Sequence, residues 1–81
     1  MPARWKAAQR KKALGKFGDA LADRRYALGI SQEELGHRCG LHRNYIGYLE
    51  RGETNPTVLT LLALAEGLEC RPSDLLRTPF S

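Results

Sequence analysis

One short stretch of the chain carries the side chains with the most distinctive hydrogen-bonding chemistry. Advancing each residue from Arg43 by about 100° around a helix axis places five polar or small residues within a sector of about 140°. They are Arg43, Asn44, Gly47, Tyr48 and Arg51. A guanidinium can donate to O6 and N7 of guanine, and a carboxamide can pair with N6 and N7 of adenine. The sector therefore has the groups needed to contact base edges, although a polar helix face is also typical of a solvated surface.

The opposite side of the same stretch is apolar, which indicates that it packs on a core. Its residues are Tyr45, Ile46 and Leu49. Gly47 lies within the polar sector, between the directions of Arg43 and Arg51, and is expected to let the helix approach a groove wall closely. The stretch therefore predicts a short amphipathic helix over about Arg43 to Arg51.

A second short helix is predicted immediately before this one. Ser31 and Glu34 have the spacing of a reciprocal N-terminal capping box, so the helix begins at Gln32. It ends near Cys39 because Gly40 favours a break, and the next helix starts near His42. Two helices joined by so short a turn must cross steeply.

Three further helices are expected around this pair. The first runs from Phe17 to Leu28 and ends at Gly29. Thr57 is a good N-cap for a fourth helix, and Ser73 for a short fifth one. No long stretch alternates apolar and polar residues as a strand does. The sequence therefore predicts an all-α fold with five helices.

Size and composition exclude several classes of protein. The chain has 81 residues, of which 42% are hydrophobic, so it forms one small domain with little apolar material for a substrate cavity. No carboxylate pair or nucleophile with a nearby base is spaced for catalysis, and we do not expect an enzyme. Its two cysteines indicate no disulfide framework. This cysteine usage predicts a protein of the reducing cytoplasm. No apolar run approaches the roughly 20 residues of a membrane span.

The net charge of +4 is distributed unevenly. The six charged residues up to position 16 are all basic: Arg4, Lys6, Arg10, Lys11, Lys12 and Lys16. From Phe17 onward seven basic residues face nine acidic ones, so the body of the domain is not broadly basic. Residues 1–16 are predicted to be a basic arm or an extra helix. A disordered arm is favoured for residues 2–14, because their apolar stripe is weak and Gly15 interrupts it.

The spacing of these motifs resembles the Cro and lambda-repressor-like helix-turn-helix family, also called the XRE family. The resemblance covers about residues 17–76. It is specific because small and apolar residues occupy fixed positions of the twenty-residue unit 32–51. The matching stretches are Ser31-Gln32-Glu33-Glu34-Leu35, Gly40-Leu41, Tyr45-Ile46, Leu49-Glu50-Arg51-Gly52 and Asn55-Pro56-Thr57.

The resemblance implies a five-helix lambda-repressor-like DNA-binding domain over residues 17–78, followed by a short tail at 79–81. In that family the second helix of the unit enters the major groove. The residues implied to contact bases are Arg43, Asn44, Gly47 and Tyr48. Those implied to contact the DNA backbone are Gln32, His42, Tyr45, Arg51, Thr54 and Asn55. The family also implies a structural ion pair between Arg25 and Glu50.

The implied partner is double-stranded DNA, bound by a homodimer on a palindromic operator because one module contacts few phosphates. The remaining apolar residues suggest a dimer interface of Leu59, Leu75, Leu76 and Phe80. No cofactor, metal or small-molecule ligand is expected. His37, Cys39 and His42 have partial metal-ligand spacing, but Cys39 falls at a core position and a fourth ligand is lacking.

The sequence leaves an alternative function open. The same fold can serve as a protein-interaction adaptor or as an antitoxin, with the face from Arg43 to Tyr48 contacting a protein. Salt separates the two possibilities, because DNA binding weakens steeply as salt rises.

Overall fold

The basic N-terminal segment and the first expected helix form one continuous helix. In a computed structural model of the protein, which describes residues 4–77, this helix is α1 (Ala7–Leu28). The predicted boundary after residue 16 falls inside α1, and the expectation of disorder is wrong for residues 7–14. The segment consists mainly of strong helix formers, and one glycine costs only about 1 kcal/mol in a helix. Gln9 also accepts a hydrogen bond from the backbone N–H of Lys6 at 2.8 Å.

The rest of the described chain is also helical. It forms α2 (Gln32–Cys39), α3 (Arg43–Glu50), α4 (Val58–Gly67) and a terminal 3-10 helix (Pro72–Leu75). The all-α fold is confirmed, but residues 4–77 contain four α-helices and not five. Of these helices, none has the length and apolarity needed to span a bilayer.

The 3-10 helix replaces the short α-helix expected at the end of the domain. Its N-cap is Arg71 and not Ser73, and Pro72 occupies its first position. Asp74 accepts a hydrogen bond from the backbone N–H of Arg71 at 2.9 Å, which fixes this tight turn. Leu75 is fully buried, at 0% exposure, so its assignment to a surface interface is wrong in this fold.

The core receives side chains from every helix. α2 packs on α3 and α4, and α1 packs on α3. The 3-10 helix closes the core against α1 and α4. The buried apolar residues are Phe17, Ala20, Leu21, Leu35, Ile46, Leu49, Leu64, Ala65, Leu68 and Leu75.

The turn between α2 and α3 is set by local geometry. Ser31 Oγ accepts from the backbone N–H of Glu34 at 3.0 Å, so the predicted cap is present. The Glu34 carboxylate instead accepts from Arg38 at 3.3 Å. Gly40 ends α2 with a φ of 70°, which residues with a Cβ adopt only at a cost. A Cβ added to the buried Gly36 would clash with the carbonyl oxygen of Leu41, so the missing side chain lets the turn pack closely on α2.

Candidate nucleic-acid interface

The outward face of α3 forms a shallow polar depression of about 280 Å³. Arg43, Asn44 and Tyr48 are exposed on it, whereas Ile46 and Leu49 on the opposite face are at 0% exposure. The core therefore fixes the rotation of α3 and keeps the polar side chains outward. The residues that line the depression are Gln32, Arg43, Asn44, Gly47, Tyr48 and Arg51.

Arg43 and Arg51 are each held by an exposed carboxylate. Arg43 donates to Glu33 at 3.1 Å, and Arg51 donates to Glu53 at 3.0 Å. The Arg51 guanidinium also lies 5.3 Å from the ring centroid of Tyr48. All four charged side chains are more than half exposed, and such pairs contribute only about 0 to 1 kcal/mol. Both guanidinium groups can therefore exchange their carboxylates for a stronger anionic partner.

Gly47 has a different role from the expected one. It is buried, and a Cβ added to it would lie 3.1 Å from Arg51 Nη1 and 3.7 Å from Gln32 Oε1. The chain's own side chains therefore cover the helix at Gly47, which corrects the expectation that this position lies open to a groove wall. The missing side chain makes room for the Arg51 guanidinium across the face of α3.

His42 caps the start of α3. Its Nδ1 accepts a hydrogen bond from the backbone N–H of Asn44 at 3.0 Å. Acceptance at Nδ1 requires the neutral imidazole with its proton on Nε2. The cap fixes the backbone that carries Arg43 and Asn44, and it leaves a donor at Nε2.

We expect His42→Leu to lower the free energy of unfolding by about 1 kcal/mol, because the amide of Asn44 loses its acceptor. His42→Ser supplies a hydroxyl acceptor and is expected to retain wild-type stability. Thermal melting followed by circular dichroism measures both. Equal melting temperatures for the Leu and Ser variants would show that the cap contributes nothing.

The other predicted backbone contacts lie outside the depression. Tyr45 is half-buried and packs against the core. Thr54 is half-buried and Asn55 is exposed, and both belong to the loop between α3 and α4. This loop begins directly after Arg51, which lines the depression. Thr54 and Asn55 therefore lie on the surface next to the depression.

A buried ion pair joins α1 to the last residue of α3. Arg25 Nε lies 2.6 Å from Glu50 Oε2, and Arg25 Nη2 lies 3.0 Å from Oε1. Both side chains are 8% exposed, and Arg25 also donates to the Ile30 carbonyl at 3.0 Å. The hydrogen bond to Glu50 raises the pKa of Arg25. The structure thus contains the pair that the family resemblance implied, and it ties α1 to the end of α3.

Gln32 joins this pair, a contact that sequence reasoning missed. Its Nε2 donates to Glu50 Oε1 at 3.0 Å, which links the first residue of α2 to the last residue of α3. The two residues are eighteen positions apart, so no local sequence pattern indicates the contact. Gln32 is therefore held in place at the rim of the depression.

Two of the three residues with partial metal-ligand spacing, Cys39 and His42, make other contacts. Cys39 Sγ donates to the Ala63 carbonyl at 3.3 Å, and burial raises the pKa of its thiol. His42 Nδ1 is engaged in the helix cap. Within residues 4–77, no three His, Cys, Asp or Glu side chains are placed to hold a metal ion.

Comparison with protein families decides the classification of the domain. The helix-turn-helix family model matches residues 21–75, which is more than half of the chain. The chain belongs to the helix-turn-helix family. Among the relatives of this helix-turn-helix protein is the HTH-type transcriptional regulator y4dJ of Sinorhizobium fredii. The two are 40% identical over 67 residues, covering 78% of this chain and 87% of the relative.

Solved structures show the same architecture. The restriction-modification controller protein C.AhdI from Aeromonas hydrophila is 44% identical with a TM-score of 0.75, over 76% of this chain and 94% of that one. The P22 c2 repressor, in a crystal structure with a synthetic operator, is 39% identical with a TM-score of 0.71. That match covers 75% of this chain and 92% of the repressor chain. These relatives are named as an HTH-type transcriptional regulator, a restriction-modification controller and a repressor, and the family is one of transcriptional regulators.

Proposed function

We propose that this helix-turn-helix protein is a transcriptional regulator that binds a specific double-stranded DNA sequence, as a dimer on a palindromic operator. The observation that carries the proposal is the outward face of α3. Arg43 and Asn44 are exposed at its first turn, while Ile46 and Leu49 fix the helix on the core. The operator complex of the P22 c2 repressor, a relative of the same fold, supports DNA as the partner.

Base recognition is assigned to the start of α3. The Arg43 guanidinium has the fork geometry for guanine, and the Asn44 carboxamide can pair with adenine in the major groove. Tyr48 lies farther along the same face. Gly47 contributes no side chain of its own, and its part is to accommodate Arg51.

Backbone contacts are assigned to residues around that face. They position the module on the duplex without selecting its sequence. Gln32 is at the N-terminus of α2, where free N–H groups favour an anion. His42 offers its Nε2 donor beside the first turn of α3. The remaining proposed backbone contacts are Tyr45, Arg51, Thr54 and Asn55.

Arg43→Ala and Asn44→Ala test the proposed function directly. Each is expected to weaken operator binding by about 10- to 100-fold and to reduce discrimination at one base position of each half-site. Fluorescence anisotropy with operator and mutated duplexes, at several salt concentrations, measures both effects. Arg71→Ala is the matched control, since it removes an exposed arginine that precedes the 3-10 helix, which packs on α1 and α4.

The control is expected to bind like wild type. Unchanged operator affinity of Arg43→Ala, with intact helicity, would contradict the proposed role of α3. Binding of a protein partner through this face, insensitive to salt and without DNA affinity, would favour the adaptor or antitoxin function instead.

An exposed apolar surface supports the proposed dimer. On α4, Val58 is 70% exposed, Leu59 78% and Leu62 47%, and Leu76 beyond the 3-10 helix is 55% exposed. Leu59 and Leu76 were expected from the sequence, whereas Val58 and Leu62 were not. Phe80 lies outside the described residues. Val58 and Leu76 also line an apolar groove of about 520 Å³ against α1. A two-fold contact between copies would cover this surface.

We expect Leu59→Glu to convert the dimer to a monomer, because it places a charge at the centre of the exposed apolar stripe of α4. Ala27→Glu, on an exposed position of α1, is the control and should leave the dimer intact. Sedimentation equilibrium, free and with operator DNA, measures the assembly. A wild-type protein that is monomeric in both conditions would contradict the dimer.

A further inference from the structure

The basic residues of this domain fall into two groups that differ in their partners. All seven arginines after residue 16 lie within 3.6 Å of a carboxylate. Within residues 4–77, none of the six basic residues up to Lys16 forms such a pair, and the first acidic residue of the chain is Asp19. The first half of α1 therefore carries positive charge that forms no ion pair with any carboxylate of residues 4–77.

This half of α1 lies beside the loop that follows α3. α1 contacts the end of α3 at Gly18, where an added Cβ would lie 2.6 Å from the Leu49 carbonyl oxygen. One turn earlier in α1, Gly15 lies close to Gly52 of the loop that follows α3. A Cβ added to Gly52 would lie 3.0 Å from the Cα of Gly15. Residues 7–14 continue the helix past this contact. Arg10 lines one groove with Asn55 and Pro56, which places it next to the same loop.

The lysines of α1 differ in the direction they face. With about 100° per residue, Lys11 falls between the directions of Gly15 and Gly18, on the side that meets the end of α3. Its neighbour Lys12 is rotated by about 100° from Lys11, away from both glycines. Both side chains are exposed. The helix therefore presents Lys11, and not Lys12, beside the loop that follows α3.

We propose that Lys11 binds the phosphate backbone of duplex DNA just outside the half-site contacted by α3. The inference rests on the proposed DNA-binding function and extends it to DNA flanking the operator. The basic residues at the start of α1 have no carboxylate partner within residues 4–77, and α1 lies against Gly52 of the loop that carries Asn55. Both observations favour the same duplex as the partner. The contact strengthens binding without selecting sequence, because phosphates are the same at every base pair.

Lys11→Ala tests the proposal, with Lys12→Ala as a control that removes an equal charge from an adjacent exposed position. Operator affinity of the full chain is measured by anisotropy over a range of salt concentrations. We expect Lys11→Ala to reduce the slope of log affinity against log salt by about 1 per bound chain. Its preference for operator over mutated duplex should stay as in wild type. Lys12→Ala should retain the wild-type slope.

Duplex length provides a second measurement. Wild type and Lys12→Ala are expected to bind an operator with about ten flanking base pairs on each side more tightly than a duplex that ends at the half-sites. Lys11→Ala is expected to lose most of that gain. Equal slopes and equal gains for the Lys11 and Lys12 variants would overturn the inference and leave operator recognition by α3 standing. Absence of specific DNA binding by the wild-type chain would overturn the proposed function and this inference together.

Discussion

Replacing Glu50 by alanine is expected to lower the free energy of unfolding by about 3 to 5 kcal/mol. Its carboxylate receives two hydrogen bonds from Arg25 and one from Gln32. Because the Arg25 side chain is only 8% exposed, its guanidinium would remain buried without its counter-ion. The change therefore leaves an uncompensated charge between α1 and α3.

Urea denaturation of Glu50→Ala and of Glu53→Ala provides the comparison. Glu53 also pairs with an arginine, Arg51, but both of those side chains are more than half exposed. Its loss is expected to change stability by less than about 1 kcal/mol. Similar losses for the two variants would show that burial of the Arg25–Glu50 pair does not set its contribution.

Gly18→Ala is expected to destabilise the fold by about 1 to 3 kcal/mol, because α1 and α3 are too close there for a side chain. An added Cβ would contact the carbonyl oxygen of Glu50 and lie 2.6 Å from that of Leu49. These are backbone atoms, so the clash can be relieved only by moving one helix. The same movement would displace α3, and we expect weaker operator binding as well.

Gly15→Ala is the matched control, three residues earlier in the same helix. An added Cβ at Gly15 meets nothing within 4 Å, so alanine there is expected to stabilise α1 by about 0.5 to 1 kcal/mol. If close helix contact is the reason for glycine at position 18, thermal melting will show a lower melting temperature for Gly18→Ala and a higher one for Gly15→Ala. A stabilised Gly18→Ala protein would contradict the close contact.

The parts of the fold that follow local rules could be predicted from the sequence. Ser31 and Gly40 bracket α2 because capping and positive φ are properties of single residues and their neighbours. The outward direction of Arg43 and Asn44 follows from helical periodicity, since the apolar face of α3 must be buried. The sequence therefore predicts the exposed position of Arg43 and Asn44, the two residues to which base recognition is assigned.

Other features depend on contacts between distant residues or on small differences in backbone geometry. Gly15 was expected to interrupt the basic segment, yet α1 continues through it because the flanking residues favour helix. Leu75 is buried and Leu76 is exposed because the segment Pro72–Leu75 forms a 3-10 helix and not an α-helix. The covering of Gly47 by Gln32 requires the packed positions of α2 and α3.

Selection of bound sequences from a pool of random duplexes tests most directly whether the exposed tip of α3 recognises bases. The wild-type protein is expected to enrich a palindromic motif whose half-sites are about 34 Å apart along the helix axis. Arg43→Ala is expected to lose preference at one position of each half-site and to retain the others. Enrichment of no motif by the wild-type protein, or of an identical motif by both proteins, would contradict recognition through Arg43.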